Sequence, residues 1–458
     1  MTSEITGRTP LFVLDPPPEP PAAPERWRFH PGEVLAAVGL GAAVVGAWPV
    51  LLMLRSGLPL EPFVMIAHVC GMLAGYGVIV LLTLMSRAPA LEHGVGADVL
   101  TRWHSRGGRI VVLLVLAHGY AAVAAWASAH RESVMLALRD VLGFPGLMTA
   151  TVGTLFLVAV GGVSIRAVRR RLPYEVWHSV HLLTYVGLAL GFSHQLAGPD
   201  LAGHRVLQVL WALLYTQAFA LLLVHRVITP LRQASRHHLR VSRVREEGPG
   251  VISIEVEGDH LHELQAEAGH FFRWRFLTTQ NWLTAHPFSL SAPPSAHALR
   301  LTVKSLGTGS ASLQGIQVGT RVLAEGPYGA MTAARRTRLD VLLVAGGVGI
   351  TPMRALLETM PLAPGRRLTL LYRARTLDDV LFRTELEDIA WRRGATIRYL
   401  LGHDPDCLSA QRLARLVPGL AGHDVYLCGP PRMAQAARRG LLGAGLPTRQ
   451  LHEERFAF

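Results

Sequence analysis

Long stretches of apolar residues dominate the first half of this 458-residue chain. Each stretch has 18 to 23 residues and is free of Asp, Glu, Lys and Arg; they lie at 34–54, 63–85, 110–129, 147–165, 176–193 and 206–224. About 20 apolar residues suffice for a helix that spans the hydrocarbon core of a bilayer. The pattern therefore predicts a bundle of six transmembrane helices within a domain over 33–230.

The pattern changes near residue 235, where short segments replace the long apolar runs. Residues 251–258 and 299–307 alternate apolar and polar positions, which is typical of antiparallel strands. After residue 338, a strand, a Gly-rich turn and a helix follow one another, and this rhythm indicates a parallel α/β fold. We therefore expect an antiparallel β-barrel domain over 235–333 and an α/β nucleotide-binding domain over 338–458.

Charge orients the predicted bundle. The net charge is +13, and it comes almost wholly from arginine because Lys304 is the only lysine. Arginines cluster after the second, fourth and sixth runs, whereas acidic residues accompany the few arginines of the opposite loops. The positive-inside rule then predicts a multi-pass cell-membrane protein with both termini in the cytoplasm. We expect the lipid bilayer, and no nucleic acid, as a partner. Residues 1–32, rich in Pro and polar residues, are predicted to form a disordered cytoplasmic tail.

Four histidines stand in or beside two of the predicted membrane helices. His104 and His118 are 14 residues apart around the third run, and His181 and His194 are 13 apart in and after the fifth. Ionisable groups inside a membrane are expensive and therefore mark functional sites. Because imidazole nitrogen is a natural axial ligand of haem iron, we expect two b-type haems. His104 and His181 (the inner pair) would hold one, and His118 and His194 (the outer pair) the other.

The helical phase of these histidines is mixed. At about 100° per residue, 14 residues return to within about 40° of the same helix face, whereas 13 residues leave about 140°. The fifth helix is therefore expected to bend or overwind, near Gly187 or Gly191, or its ligands approach from different sides. A hydrogen-bonded residue of the bundle is the alternative for any single histidine. His68, alone in the second helix, is interpreted as structural, and His178 as a partner of a ligand or of a haem propionate.

Two segments of the predicted β domain have features of a flavin site. In His286-Pro287-Phe288-Ser289 the aromatic ring could pack on an isoalloxazine, the hydroxyl could bond its N5 edge, and His286 could reach the diphosphate. The turn Gly307-Thr308-Gly309-Ser310 offers backbone N–H groups that could cradle a pyrophosphate. A buried strand end and an ordinary turn are the alternatives. We interpret the two segments as an FAD site.

A Gly-rich turn directly follows the strand at the start of the α/β domain and opens a helix. It contains Gly346, Gly347, Gly349, Thr351 and Pro352. Glycines let the backbone approach a phosphate, and the helix N-terminus favours its negative charge. This setting predicts a nicotinamide dinucleotide site.

Side chains after later strands refine that site. Arg373 and Arg375 stand where a binder of the ribose 2′-hydroxyl would offer an acid, so NADPH is favoured over NADH; solvated arginines are the alternative, and Asp378 and Asp379 lie nearby. Cys428-Gly429-Pro430 ends a strand beside the expected nicotinamide, with a free buried cysteine as the alternative.

Together these motifs resemble the ferric reductase and NADPH oxidase superfamily, in which a transmembrane haem domain is fused to a ferredoxin–NADP reductase-like module. The resemblance covers about residues 35–458. It implies haem ligation by the four histidines. It also implies that Phe456, in the C-terminal ERF motif, covers the flavin and swings aside for the nicotinamide, with Phe458 as the alternative. Phe456, Cys428 and Ser289 are thus the candidate catalytic residues.

The family further implies a path in which NADPH reduces FAD, and single electrons then pass over the two haems to an extracytoplasmic acceptor. Ferric ions, cupric ions, oxygen and quinones all stay open as that acceptor, and the sequence leaves the oligomeric state undetermined. Two other functions compete. One is a membrane-anchored flavin reductase with a cytoplasmic acceptor; the other is a transporter with a nucleotide-sensing domain. Neither would need four histidines in the bundle.

Overall fold

A computed structural model describes residues 29–454 except 58, 170, 173 and 283. Most of the predicted tail and Phe456 therefore lie outside the described residues. The first helix begins at Pro31, two residues before the predicted domain boundary. Proline suits the first helical position because its missing N–H has no partner there anyway. The Glu33 side chain accepts a hydrogen bond from the backbone N–H of His30 at 2.8 Å and so caps the same end.

Helices make up the membrane bundle, which we define as residues 29–237. In chain order they are α1 (Pro31–Ser56), α2 (Pro62–Leu84), α3 (Pro89–Val95), α4 (Ala97–His130), α5 (Val134–Leu142), α6 (Leu147–Val163), α7 (Arg166–Arg169), α8 (Tyr174–Ala197), α9 (Arg205–Leu223) and α10 (Thr229–His237). A π-helical turn, Val224–Ile228, connects α9 to α10. All six apolar runs lie on helices.

Not every one of these helices is apolar enough to count as a membrane span. Among the described residues, four helical stretches qualify by length and hydropathy: α1, α2, α4 and the continuous α9–α10. A fifth is added if α5 and α6, which meet at a bend of 109°, form one span. Helix α8 covers the fifth run, but its histidines make it less apolar. Four to five apolar spans are therefore supported, and six remains a prediction.

Close glycine contacts join α6 to α8. A Cβ on Gly153 would lie 2.5 Å from the carbonyl oxygen of Gly187, and a Cβ on Gly187 would lie 2.8 Å from that of Gly153. Both distances are too short for any side chain. Small residues at such crossings let membrane helices pack backbone to backbone. Helix α4 packs mainly on α2 instead.

Strands make up most of the C-terminal module, which we define as residues 240–454. They are β1 (Arg240–Gly248), β2 (Val251–Glu257), β3 (Phe271–Phe276), β4 (His286–Ser289), β5 (Ala298–Lys304), β6 (Val322–Tyr328), β7 (Asp340–Gly346), β8 (Leu368–Arg373), β9 (Thr396–Leu400), β10 (His423–Cys428) and β11 (Leu451–Glu454). The helices of the module are α11 (Thr308–Ala311), α12 (Ile350–Thr359), α13 (Arg383–Arg393), α14 (Ala410–Leu416) and α15 (Pro431–Gly443).

The first six strands form two antiparallel three-stranded sheets, with orders β1-β2-β5 and β4-β3-β6. Isolated bridges between Arg240 and Arg321 and between Leu290 and Leu301 connect them. Alternation drives this packing: Phe272, Trp274 and Phe276 on β3 are fully buried, whereas the residues between them are partly exposed. One apolar core thus lies between the two sheets.

The remaining strands form one parallel sheet in the order β11-β10-β7-β8-β9. Its central strands are near-continuous apolar runs, as expected where helices cover both faces of a sheet. Strand β7 is flanked by β10 and β8, and chain order reverses across it. Ligands of such folds bind at the carboxyl ends of the strands near this switch point.

Candidate functional site

The four histidines of the bundle meet as two pairs. The ring centres of His104 on α4 and His181 on α8 are 6.0 Å apart. Those of His118 and His194, on the same two helices, are also 6.0 Å apart. Helix α8 runs from Tyr174 to Ala197 as one helix, and both of its histidines meet a partner on α4 despite their 13-residue spacing.

The contacts of His104 and His118 with helix α2 give the distance between the inner and outer pairs along the bundle. His104 Nδ1 lies 3.4 Å from the carbonyl oxygen of Leu81, and His118 Nδ1 lies 2.7 Å from that of Ala67. These carbonyls are 14 residues apart on one helix, which corresponds to roughly 21 Å at about 1.5 Å per residue. The pairs therefore lie at two well-separated depths of the bundle.

The geometry of the pairs fits a metal ligated from both sides. Two imidazoles on opposite faces of one iron would have ring centres about 6 Å apart, because each metal–nitrogen bond is about 2 Å long. A carbonyl only accepts hydrogen bonds, so the Nδ1 of His118 donates and its Nε2 lone pair is left for a ligand bond. Metal-binding histidines usually donate their second nitrogen in this way. The residues present thus fit haem.

The flavin motif lies on β4, at an edge of its sheet. The Oγ of Ser289 is buried and has no hydrogen-bond partner among the described residues, so it fits a ligand atom. Pro287, Phe288 and Ser289 line a cleft together with Val348 and Thr351 of the Gly-rich turn. The structure therefore brings the predicted flavin and nicotinamide segments to one place.

His286 connects the flavin motif to the second predicted turn. Its ring stacks near that of Phe288, 6.0 Å between centres, and a Cβ on Gly309 would lie 2.9 Å from its Cε1. Two hydrogen bonds form within this turn: the N–H groups of Leu306 and Gly307 donate to Ser310 Oγ at 2.9 and 3.1 Å. Those two N–H groups are already engaged, so a diphosphate would bind other groups of the turn.

The Gly-rich turn packs on the end of the neighbouring strand. A Cβ on Gly349 would lie 2.4 Å from the carbonyl oxygen of Cys428, so only glycine fits there. Gly347 adopts φ +51° with open space around it, and Thr351 and Pro352 begin α12. Gly346, Gly429 and Pro430 come together where β7 and β10 end, because these strands pair in parallel. This is the switch point of the sheet.

The two predicted 2′-phosphate ligands differ in environment. The Nη1 of Arg373 donates to the carbonyls of Ala374 and Leu400, both at 2.9 Å, and so faces the end of β9. Arg375 is exposed. The Asp379 carboxylate accepts hydrogen bonds from the N–H and Oγ1 of Thr376, which engages it within its own turn. Arg375 is therefore the better placed of the two arginines for a ligand.

Cys428 is fully buried at the carboxyl end of β10. Burial raises the pKa of its thiol well above the usual value, and the charges of Glu454 and Glu453 act in the same direction. The side chain is therefore a neutral thiol at physiological pH. It can shape a nicotinamide site, but it is not a thiolate nucleophile.

Three polar contacts were missed by the sequence reasoning, because each joins distant segments. The first connects the membrane bundle to the module: Arg87, in the turn after α2, lies 2.6 Å from Glu325 on β6. The second joins His68 Nδ1 on α2 to Asp200 Oδ1 at 2.8 Å, beyond the end of α8. Glu325 belongs to a Glu-Gly-Pro-Tyr-Gly segment, and this turn motif was the sequence feature that could have drawn attention to it.

The third contact links the two halves of the module. Glu385 on α13 binds Arg300 on β5 at 2.9 Å, Arg245 on β1 at 2.5 Å and Arg354 on α12 at 3.0 Å. Burial alone would raise the pKa of Glu385, but hydrogen bonds from Arg300 and Arg245 outweigh it and lower the pKa to about 2. This carboxylate fastens the antiparallel sheets to the parallel sheet.

Comparisons with known proteins match both halves of the chain. Residues 70–192 match a family described as ferric reductase like transmembrane component, and residues 343–439 match the oxidoreductase NAD-binding domain. The chain is 31% identical over 243 residues to ferredoxin–NADP reductase B of Sorangium cellulosum, which covers 49% of this chain and 99% of that protein.

The chain is also similar to a second curated reductase. The ferredoxin reductase component of 3-ketosteroid-9-alpha-monooxygenase from Mycobacterium tuberculosis is 32% identical over 199 residues. This alignment covers 42% of the chain and 55% of that protein, so the chain spans about half the length of this curated relative.

One solved structure, the flavohem-like FAD/NAD binding domain of nitric oxide dioxygenase from Vibrio cholerae, is 23% identical with a TM-score of 0.41, over 48% of this chain and 99% of that one. The Sorangium relative and the two family matches show that this membrane protein joins a module of the ferredoxin–NADP reductase family to a ferric-reductase-like transmembrane component, a combination that matches the ferric reductase and NADPH oxidase type of fusion.

Proposed function

We propose that the chain is a transmembrane oxidoreductase that takes electrons from cytoplasmic NADPH and delivers them to an acceptor on the other side of the membrane. FAD in the module and two b-type haems in the bundle would carry them. The observation that supports this proposal best is the pair of facing imidazoles at each of two depths. A membrane anchor would need neither pair, and a transporter would need no matched ligands.

The residues of the module would bind FAD and NADPH for hydride transfer, the first step. Ser289 would hold the flavin edge through its unpartnered Oγ, and Phe288 would pack on its ring. Gly346, Gly347 and Gly349 would let the dinucleotide approach the backbone, with Cys428 beside the nicotinamide. When bound, the flavin accepts two electrons from NADPH together and releases them one at a time. Phe456, outside the described residues, would cover the flavin until the nicotinamide arrives.

In the bundle, His104 and His181 would hold the haem nearer the module, and His118 and His194 the other. The backbone carbonyls of Leu81 and Ala67 would fix the ring orientation of the α4 ligands. We propose six membrane spans with both termini in the cytoplasm, since the arginine-rich loops lie on the side of the module. Helix α8 would then be the least apolar span because it carries ligands.

An absorption spectrum of the purified membrane protein tests this proposal. We expect a b-type Soret band that loses about half of its intensity in His118→Ala or His194→Ala, because each removes one ligand of the outer pair. His130→Ala is the matched control, since His130 lies on α4 beyond the outer pair, where its ring hydrogen-bonds the Trp126 carbonyl and stacks on the Trp126 ring. A spectrum without haem would rule out the proposal and leave the membrane-anchored flavin reductase.

An acceptor screen would then identify the substrate. With NADPH as donor, ferric-chelate reduction is compared with cytochrome c reduction that superoxide dismutase inhibits. The first result would indicate a metal reductase and the second an oxidase. Reduction that persists in His118→Ala at the full rate would indicate a cytoplasmic acceptor instead.

A further inference from the structure

A largely buried ion pair joins the membrane bundle to the module. Arg87 Nη1 lies 2.6 Å from Glu325 Oε2, and each side chain exposes only 14% of its surface. The Arg87 guanidinium also lies 5.4 Å from the centre of the Tyr328 ring. Removing one member of such a pair leaves an uncompensated charge away from water. This contact therefore constrains how the two parts meet.

Glu325 also collects two arginines from its own sheet. Arg273 and Arg275 on β3 lie 3.4 and 3.7 Å from its carboxylate, and Arg273 is paired in register with Glu325. Two more contacts connect the segments around β6 to the bundle. Gln233 Nε2 donates to the Gly326 carbonyl at 2.6 Å, and Arg335 Nη2 donates to that of Gly94 at 2.9 Å. We call Arg87, Glu325, Arg273 and Arg275 the junction cluster.

The junction cluster lies between the flavin motif and the inner histidine pair. Strand β3 separates β6 from β4, with Arg273 opposite both Glu325 and Pro287. Two strand spacings of about 4.8 Å place Pro287 roughly 10 Å from Glu325. On the other side, Arg87 follows Leu81 of α2 by six residues, and the Leu81 carbonyl oxygen lies 3.4 Å from Nδ1 of His104, a member of the inner pair.

We propose that Arg87 and Glu325 are positioning residues that hold the flavin sheet in line with the inner pair. They control electron passage from the module into the bundle, and they leave hydride transfer untouched. The inference rests on the proposed function. One NADPH would give NADP⁺, one proton and two electrons, and a bound flavin would pass those electrons one at a time to the haem that His104 and His181 would hold. The proposed nicotinamide site lies on β7, β10 and α12, whereas the junction cluster lies on β3, β6 and the turn after α2.

Stopped-flow absorbance on the full-length protein with FAD and haem bound separates the two steps. After anaerobic mixing with NADPH, flavin bleaching reports hydride transfer and the haem α-band reports the next step. In Arg87→Met, we expect haem reduction to slow about tenfold, because small misplacements of reacting groups cost factors of this order. Flavin bleaching should stay within about twofold. In Arg87→Lys, which keeps the charge but loses the planar guanidinium, the rate of haem reduction should lie between those of Arg87→Met and the parent protein.

Arg236→Met is the matched control. Arg236 also pairs with a carboxylate of the module, Glu263 at 2.7 Å, but both side chains are exposed. We expect both rates to match the parent protein, because exposed pairs constrain little. Equal slowing of flavin bleaching and haem reduction in Arg87→Met would overturn the proposal, and so would an unchanged haem rate.

Hydrogen exchange gives a readout that needs no haem. In protein without NADPH, the backbone amides of β6 should exchange faster in Arg87→Met than in Arg236→Met, while those of β2 stay the same. Unchanged exchange at β6 would overturn the positioning role. If the parent protein lacks haem, the proposed function fails, but the exchange experiment still decides whether Arg87 fixes β6.

Discussion

Removing the carboxylate of Glu385 should strongly destabilise the C-terminal module. Three arginines converge on this side chain, and Arg300 and Arg354 each expose only 10% of their surface. The pKa of Glu385 falls from 4.5 to about 2 in the folded protein. Since one pKa unit corresponds to about 1.4 kcal/mol, the ionised carboxylate stabilises the fold by roughly 3 kcal/mol at pH 7.

We expect Glu385→Gln to lower the melting temperature of the module by roughly 6 to 12 °C, at about 2–4 °C per kcal/mol for a unit of this size. The temperature at which flavin fluorescence appears on heating measures this in the full chain. Because the folded pKa lies below the unfolded one, the deficit should be full above about pH 4.5 and shrink as pH falls toward 2.

Glu387→Gln is the control for this measurement. Glu387 lies two residues away on α13 and pairs with Arg383 at 2.9 Å, but both side chains are about half exposed. An exposed pair of this kind contributes about 0.5 kcal/mol or less. A Glu385→Gln protein that melts within about 2 °C of the Glu387→Gln protein would refute the assignment of Glu385 as the fastening between the two halves of the module.

Three further outcomes are expected. Cys428 should resist alkylation by iodoacetamide at pH 8 in the folded protein and react only after unfolding, since burial raises its pKa; rapid labelling of native protein would contradict this. Gly349→Ala should raise the KM for NADPH at least about tenfold, because the added Cβ would collide with the Cys428 carbonyl and displace the turn; an unchanged KM would place the dinucleotide elsewhere. Arg375→Ala should raise the KM for NADPH more than the KM for NADH. Its effect on the KM for NADPH should also exceed that of Arg373→Ala, because the Arg373 side chain is engaged by backbone carbonyls. Equal effects on both dinucleotides would contradict a role in binding the 2′-phosphate.

Local pattern was enough to predict most of the architecture. The six apolar runs became helices because a chain in a bilayer must satisfy its backbone hydrogen bonds within each segment. The Gly-rich turn was recognisable because its strand, turn and helix are contiguous. The number of spans was harder, since α8 combines apolar residues with histidines. For His181 and His194 the sequence could not decide between a bent helix and ligands that approach from different sides, because a helix spacing does not say how far side chains reach.

Contacts between distant segments were beyond sequence reasoning. His68 was interpreted as a structural residue, but its partner Asp200, which lies 132 positions later, was not foreseen. Arg87 counted only as one of many arginines that orient the bundle, and Glu325 lies 238 positions away. Charge alone does not select a partner; the fold does, by bringing particular side chains together out of water. The same holds for Glu385 and its three arginines.

The close approach of Gly153 and Gly187 limits how the bundle can move when a group inside it changes charge. Because the two backbones are so close, sliding or rotation of α8 past α6 would make backbone atoms collide, and His181 and His194 lie on that restrained helix. If these rings hold haem iron, as proposed above, the iron would gain or lose an electron with little rearrangement of its surroundings, and this would keep the barrier to each transfer low. A larger residue at either glycine would push the two helices apart and so shift the histidines of α8.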